Sequence, residues 1–276
     1  MVTLSVCLET VFTKLPVDER IARIAEAGYN SVEFWHPEGT WDGTTVRTDL
    51  AKDAKSLRRA CDRNGVTLND FAMSAWDGSI GGCAVKAQDR AQYVEQMRKM
   101  IAFAEQAGCR KGIALSGTID PALPWSEMGK NLSDALGEVL PMAEKAGFTL
   151  LLEPLNTLVD HAGYYLDSSA EAFEIVARFD SPHLKVLFDV YHMQIMEGNL
   201  LATIKDNIDS IGHFHAAGVP GRGELFDCEL NYPYILAEIE TLGYDGSFGL
   251  EYFPRLSDHG QSLRETLEYL RAGTTV

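Results

Sequence analysis

A short phrase recurs along this chain: an amphipathic helix that ends in small residues, then a glycine, then a short apolar strand. Its copies lie within residues 24–35, 61–68, 104–115, 143–153 and 241–251. A glycine just past a helix supplies the left-handed conformation that lets the chain turn back into a strand. The phrase therefore predicts a regular alternation of helices and strands.

Three further apolar segments, residues 4–8, 184–189 and 211–215, raise the number of predicted strands to eight. Strands that are apolar on both faces and separated by helices indicate a parallel sheet covered by helices. Eight such units in 276 residues favour a closed (β/α)8 TIM barrel, an α/β fold, forming a single domain over residues 1–276. Another α/β fold is the alternative, but no glycine-rich phosphate loop follows the first strand, as an open doubly wound sheet would often show.

Composition excludes several classes of function. The chain has 24 Lys and Arg against 40 Asp and Glu, a formal charge of −16, which opposes nucleic-acid binding because such binding neutralises phosphates with basic side chains. The chain contains no run of about 18 uncharged apolar residues, so no membrane span is predicted. Five scattered cysteines without a C-x-x-C pair indicate reduced thiols. We therefore expect a cytoplasmic protein that acts on a small molecule, with the oligomeric state open and a homodimer or homotetramer as options.

The last four predicted strands each end in a side chain that can bind a metal: Glu153, Asp189, His215 and Glu251. In a barrel of this kind, chemistry lies where strands end and the following loops begin. A carboxylate at an apolar barrel mouth costs several kcal/mol unless a cation or a hydrogen-bond donor compensates it. Three carboxylates and one imidazole suit one divalent ion, Mn2+ first, with Mg2+, Co2+ or Zn2+ as alternatives. Taken singly, a residue of this kind at a strand end is more often an ion-pair partner or a loop anchor.

Polar residues beside these strand ends are candidates for binding substrate. Asn156 follows the first of them, His192 follows the second, and Arg222 lies on a glycine-rich loop after the third. Arg222 and His192 can hydrogen-bond hydroxyls or a carboxylate, although a solvated loop cation is the alternative for Arg222. His36, at the end of the second strand, can face the same cavity. Glu33, in that strand, is either an acid behind the site or a member of a buried ion pair.

Other aromatic and histidine residues have more ordinary interpretations. Trp35 and Trp76 can supply apolar walls to the cavity, but buried core aromatics are the commoner outcome. His161 and His213 are interpreted as loop and strand-packing residues rather than as ligands. Cys7 and Cys228 have no evident base partner, which argues against a nucleophilic role.

Four motifs carry a resemblance to a known family. They are Glu-Pro-Leu-Asn at 153–156, Asp-Val-Tyr-His-Met-Gln at 189–194, Gly-His-Phe-His at 212–215 and Gly-Leu-Glu-Tyr at 249–252. These motifs resemble the hydroxypyruvate isomerase family of the xylose isomerase-like TIM barrels, which also includes the ketose 3-epimerases. The similarity is densest from about residue 145 to 255.

The resemblance implies a single-metal site whose ligands are Glu153, Asp189, His215 and Glu251. It also implies that Glu153 and Glu251 act as the acid/base pair, and that the positions of His192 and Arg222 contact substrate in the epimerases. Two departures stand out. The third ligand is often Gln in hydroxypyruvate isomerases and His in epimerases, and the acid that commonly follows Glu-Pro-Leu-Asn is matched by Asp160 only with a shift of one residue.

The predicted function is therefore that of a metal-dependent isomerase that transfers a proton through an enediolate of a small hydroxycarbonyl compound, most similar to hydroxypyruvate isomerase. A ketose 3-epimerase of the tagatose or allulose type is the first alternative, and a dehydratase of keto-sugars or keto-cyclitols is the second. A non-catalytic sugar-binding barrel is disfavoured by the intact ligand set. A metal nuclease related to endonuclease IV is disfavoured by the acidic composition.

Overall fold

The computed structural model describes residues 2–272. Its centre is a sheet of eight parallel strands. In chain order these strands, β1 to β8, are Thr3–Cys7, Ser31–Phe34, Thr67–Phe71, Lys111–Ala114, Thr149–Leu152, Leu184–Asp189, Ile211–Ala216 and Ser247–Leu250. Around the sheet they run β3, β2, β1, β8, β7, β6, β5, β4. Each strand thus pairs with its neighbours in sequence, and β1 pairs with β8.

The seam between β3 and β4 is closed by a single bridge. Ala72, just beyond β3, pairs in parallel with Ile113 of β4. The Met73 N–H also donates to the Ile113 carbonyl oxygen at 2.9 Å. The sheet is therefore a nearly closed barrel, and the predicted (β/α)8 TIM barrel is confirmed.

Helices connect consecutive strands. In the described part of the chain, α1 to α9 are Val17–Glu26, Ala54–Asn64, Arg90–Ala107, Trp125–Ala146, Ser169–Phe179, Val190–Met196, Leu200–Asn207, Tyr232–Thr241 and His259–Ala272. Two of them, α6 and α7, follow β6. Within residues 2–272, none of the helices has both the length and the apolar character that a membrane crossing requires.

The glycines of the recurring phrase adopt the conformation that the sequence predicts. Gly65, Gly108 and Gly147 are the left-handed C-caps of α2, α3 and α4. Gly28 and Gly243 come one residue after the C-caps of α1 and α8 and also have positive φ. These turns bring each chain segment back into the sheet.

Strand β3 is longer than predicted. The apolar pattern indicated a strand over residues 66–68, whereas the structure continues it to residue 71. The polar Asp70 in this extension is fully buried and lies 3.1 Å from Nε2 of His213. A polar partner inside the barrel, which no local pattern reveals, allows this strand to continue.

The segment between β2 and α2 is anchored at the barrel mouth by a buried ion pair. The segment carries a short antiparallel pair of strands, Thr40–Trp41 with Val46–Arg47. Lys52 Nζ, near the start of α2, lies 2.6 Å from Oε1 of Glu9 and donates to the His36 carbonyl oxygen at 2.8 Å. The pair ties this segment to the residues that follow β1.

Candidate active site

The structure brings the four predicted ligands together at the carboxyl ends of adjacent strands. Asp189 is the last residue of β6 and His215 lies near the end of β7, while Glu153 and Glu251 come directly after β5 and β8. All four are buried, with exposed fractions between 1% and 7%. Ligand atoms of Glu153, Asp189 and His215 lie within 4.8 Å of one another, and so do those of Asp189, His192 and Glu251. We call Glu153, Asp189, His215 and Glu251 the quartet.

His215 lies between the two glutamates. Its Nδ1 is 3.5 Å from Oε1 of Glu153 and 3.7 Å from Oε2 of Glu251, and it has no hydrogen-bond partner in the described structure. Two ligands bound at about 2.1 Å to one octahedral ion lie roughly 3 to 4 Å apart. The separations, the buried imidazole nitrogen and the oxygen-rich surroundings therefore fit a divalent cation held by the quartet.

Asp189 has one carboxylate oxygen occupied and one directed to the site. Its Oδ1 accepts from the backbone N–H groups of Tyr191 at 2.8 Å and His192 at 3.3 Å, so that Asp189 is the N-cap of α6. Its Oδ2 lies 3.4 Å from Nε2 of His192. Burial raises the pKa of Asp189 to about 7; His215 and Arg222 oppose this effect, while the charges of Glu153 and Glu251 add to it.

Glu251 is held at both of its oxygens. Trp35 Nε1 donates to Oε1 at 2.6 Å, and Arg222 donates to Oε2. Burial alone would raise the pKa of Glu251, but Arg222 and His215 outweigh burial and lower it. This carboxylate therefore has a fixed orientation and a charge that its neighbours favour.

Glu153 is fixed through its backbone rather than through its carboxylate. The Tyr164 hydroxyl donates to the Glu153 carbonyl oxygen at 3.0 Å, and the Ser116 N–H donates to that hydroxyl at 2.9 Å. Burial raises the pKa of Glu153 above its usual value, despite the opposing effect of His215. The two glutamates thus have pKa values that their surroundings shift in opposite directions.

Arg222 reaches the quartet from the loop between β7 and α8. This loop is closed by a hydrogen bond from the Gly218 N–H to the Gly223 carbonyl oxygen at 2.7 Å. Arg222 has a left-handed backbone, with φ of 55°, and its guanidinium lies 5.2 Å from the centre of the Tyr191 ring. Its side chain is only 14% exposed, so Arg222 is a component of the site and not a solvated loop cation.

Asn156 and His192 form a hydrogen-bonded pair beside the quartet. Asn156 Nδ2 lies 2.6 Å from Nδ1 of His192 and donates to Oδ2 of Asp160 at 2.8 Å. Its Oδ1 accepts from the N–H groups of residues 159 and 160. Because Nδ1 of His192 accepts from Asn156, its Nε2 carries the hydrogen, and burial followed by Arg222 lowers the pKa of His192. His192 therefore presents a neutral imidazole N–H near Asp189.

The remaining candidates lie around this centre. His36 is close to the end of β2, and its Nδ1 is 3.4 Å from the Ala72 carbonyl oxygen. Within residues 2–272, no hydrogen bond, ion pair or ring contact joins His36 to the quartet. The His161 ring packs 5.0 Å from Trp76 and 5.3 Å from His192. His161 therefore packs beside His192, and Trp76 is partly buried against the core and the His161 ring.

One contact at the site was not predicted from the sequence, and another was predicted without its partner. Trp35 was expected to be an apolar residue, yet its indole N–H binds Glu251. Glu33 was given two interpretations, and the structure places Oε1 3.1 Å from Nε2 of His215. The sequence shows only that a Trp and a Glu lie near the end of a strand. It does not show which distant side chain each of them contacts.

The sequence of this chain is similar to those of known proteins. A sequence model of the family described as xylose isomerase-like TIM barrel matches residues 21–273. The 2-oxo-tetronate isomerase of Cupriavidus necator is 33% identical over 239 residues, covering 86% of this chain and 87% of that protein. The hydroxypyruvate isomerase of Escherichia coli is 28% identical over 257 residues, covering 92% and 95%.

Solved structures agree on the fold. A Brucella melitensis protein named AP endonuclease, family 2, superposes with a TM-score of 0.86 at 30% identity, over 98% of this chain and 99% of that one. An L-ribulose 3-epimerase superposes with a TM-score of 0.79 at 20% identity, over 99% and 95%, a likeness that shows the fold alone. The chain therefore belongs to the xylose isomerase-like TIM barrel family, and it is an enzyme of the isomerase and epimerase class.

Proposed function

We propose that this enzyme is a metal-dependent isomerase that moves the carbonyl group of a small hydroxycarbonyl acid, such as hydroxypyruvate, by one carbon. The observation that carries the proposal is the convergence of the quartet around the unpartnered Nδ1 of His215. The named isomerase relatives support the substrate class, because hydroxypyruvate and 2-oxo-tetronate are both 2-oxo acids.

The quartet would hold one divalent cation, with Mn2+ as the first choice and Mg2+, Co2+ and Zn2+ as alternatives. Carboxylate oxygens with one imidazole nitrogen are ligands that these ions accept. When bound, the cation supplies positive charge that stabilises the negative charge developing on the substrate oxygens. Asp189 and His215 serve mainly as ligands in this proposal.

The protein supplies the proton transfer. Glu153 and Glu251 both approach His215 Nδ1, at 3.5 and 3.7 Å, and in this proposal they flank the substrate with one carboxylate at each side. In an isomerisation, one of them takes the proton from the hydroxyl-bearing carbon and returns it to the former carbonyl carbon, with an enediolate between the two steps. The proton of the original hydroxyl passes to the former carbonyl oxygen, which becomes the new hydroxyl. Trp35 and Arg222 orient Glu251 for this role.

Substrate would be held by the polar groups around the quartet. His192 offers its Nε2–H, and Arg222 offers a guanidinium that suits a carboxylate or a pair of hydroxyls. Asn156 has its polar atoms engaged within the loop and with His192, so in this proposal it acts by positioning His192. His36 borders the mouth as a further contact for longer substrates.

A ketose 3-epimerase is the second candidate. The observation in its favour is His215, because the third ligand position is His in the epimerases that the sequence motifs resemble. Epimerisation would use both glutamates, one on each face of the carbon that is inverted. A keto-sugar or keto-cyclitol dehydratase would pass through the same kind of enolate.

An NMR-monitored substrate panel distinguishes these reactions. Purified enzyme with added Mn2+ is incubated in D2O with hydroxypyruvate, C4 to C6 ketoses and keto-cyclitols. We expect hydroxypyruvate to be converted, with solvent deuterium incorporated at the carbon that receives the proton. An inverted ketose carbon identifies an epimerase, and loss of water identifies a dehydratase. An AP-endonuclease assay on the same preparation should give no cleavage.

The site assignment is tested separately. Glu153→Gln should abolish turnover while leaving the thermal midpoint close to that of the wild type. The exposed Glu127, in the first turn of α4, gives the matched control Glu127→Gln, which should keep full activity. Near-normal turnover by Glu153→Gln contradicts the assignment of Glu153 as the base.

A further inference from the structure

A chain of buried ionisable side chains lies inside the barrel behind the quartet. Glu33 of β2, Asp70 of β3 and His213 of β7 each have an exposed fraction of 2% or less. A barrel interior is usually filled by branched apolar side chains, and burying ionisable groups costs free energy unless they are paired. This arrangement therefore calls for an explanation beyond core packing.

Glu33 is the member of this chain that touches the quartet. Its Oε1 lies 3.1 Å from Nε2 of His215 and its Oε2 lies 3.2 Å from Nε2 of His213. His213 is held in turn by Asp70 Oδ2 at 3.1 Å and by the Ser247 carbonyl oxygen, 3.0 Å from its Nδ1. Glu33 is thus held through Oε2 by His213 and contacts His215 through Oε1.

The two nitrogens of His215 face different groups. Nε2 lies 3.1 Å from Oε1 of Glu33, a close contact that falls short of full hydrogen-bond geometry in this structure, whereas Nδ1 faces Glu153 and Glu251. An imidazole that donates from one nitrogen keeps a lone pair on the other, and the hydrogen bond at the first decides which nitrogen can bind a metal.

We propose that Glu33 is a positioning residue for the metal site: it accepts the Nε2–H of His215 and so holds the ring with the Nδ1 lone pair directed at the position that the quartet encloses. The inference rests on the proposed function, in which His215 is a metal ligand. His213 holds Glu33, whereas Asp70 contacts His213 and, among the hydrogen bonds and ion pairs of residues 2–272, reaches neither Glu33 nor His215.

Gly249 of β8 is an independent sign that this contact is built into the barrel. A Cβ atom at Gly249 would collide with Oε1 of Glu33 and would lie 2.6 Å from Cδ2 of His215. Contacts below 3.0 Å require the neighbours to move. The absence of a side chain at this position therefore provides the space in which the Glu33–His215 pair sits, and Gly249→Ala perturbs that pair without altering either partner.

The test is a titration of the intact protein with Mn2+, in which electron paramagnetic resonance counts the free ion. Glu33→Leu removes the acceptor, and we expect its Kd for Mn2+ to rise about 10- to 100-fold, the effect of losing a group that orients a metal-bound histidine. Glu33→Gln keeps an acceptor oxygen and should recover most of the affinity. Gly249→Ala should weaken binding in the same direction as Glu33→Leu.

Asp70→Asn is the matched control. It removes one carboxylate charge from the same buried chain and leaves the Glu33–His215 contact in place, so its Kd should stay within about threefold of the wild type. Thermal midpoints and circular dichroism establish that each variant is folded. Should Glu33→Leu fail to fold, Glu33→Gln and Gly249→Ala still decide the matter: Gln close to the wild type and Ala clearly weaker support the proposal.

Three outcomes overturn the proposal. One is a folded Glu33→Leu or Gly249→Ala that binds Mn2+ as the wild type does. Another is Asp70→Asn weakening binding as much as Glu33→Leu, which assigns the effect to buried charge. The third is a stoichiometry of two Mn2+ per chain with one lost in Asp70→Asn, because ligand atoms of Glu33, Asp70, His213 and His215 also lie within 4.8 Å of one another. If these affinities hold but no substrate turns over, the proposed function fails and the role of Glu33 stands.

Discussion

The hydrogen bond from Trp35 to Glu251 gives the sharpest prediction about catalysis. Trp35→Phe removes the indole N–H that lies 2.6 Å from Oε1 of Glu251 and keeps an aromatic ring in place. A hydrogen bond to a charged group contributes about 1.5 to 3 kcal/mol, and about 1.4 kcal/mol corresponds to a tenfold change. Because Arg222 still holds the other oxygen, we expect the low end, a decrease of about tenfold in kcat/KM.

Trp41→Phe is the control for this experiment. The Trp41 ring packs 6.0 Å from the Trp35 ring, and in the described part of the chain its side chain makes no hydrogen bond to Glu251. The kcat/KM of Trp41→Phe should therefore stay within about twofold of the wild type. Isomerisation of hydroxypyruvate under saturating Mn2+ is the assay, with metal content measured on each sample. A Trp35→Phe enzyme with wild-type kcat/KM, or an equal loss in Trp41→Phe, refutes the reasoning.

Three further predictions concern metal binding, the buried ion pair at the barrel mouth and stability in acid. Free Mn2+ at one hundred times its Kd should add about 2.7 kcal/mol of stability, about 5 °C in thermal midpoint for a chain of this size, and Asp189→Asn should abolish the difference between Mn2+-loaded and EDTA-treated protein. Lys52→Met leaves Glu9 buried without its cation and should cost about 3 to 5 kcal/mol in urea unfolding; a loss below about 1 kcal/mol contradicts this. Burial raises the pKa of Glu224, but hydrogen bonds, the largest from the Leu256 N–H, outweigh burial and lower it. Its stabilising contribution is therefore complete above about pH 4.3 and is lost as the pH falls through the lowered folded-state pKa, so Glu224→Gln should reduce the acid-induced loss of stability measured by urea unfolding from pH 6 to 3.

The fold was predictable because its signals are local. A glycine that ends a helix and an apolar run that follows it lie within about ten residues, and both features act on the backbone of those same residues. The limits of β3 were predicted wrongly, because Asp70 is accommodated by His213, 143 positions further along the chain. A polar residue in a strand can be interpreted only when its partner across the barrel is known.

The candidate site was predictable to the same extent and for a related reason. Members of the quartet follow apolar strands, and barrel geometry places every strand end on one face, so four local signals add up to one location. The contacts of Trp35 and Glu33 lack such a rule. Each depends on which side chain of a distant strand points at the same spot, and strand order alone does not specify that.

The contacts of Trp35 and Glu33 show that the two halves of the barrel contribute different groups to the site. The second half supplies the quartet from β5 to β8, while β2 and the residue just after it supply the groups that hold two of its members: Glu33 for His215 and Trp35 for Glu251. β1 pairs with β8, which brings the two halves together at the quartet. Substitutions in β2 should therefore change metal affinity and turnover while every ligand remains, so an intact quartet is by itself insufficient to predict the activity of a relative.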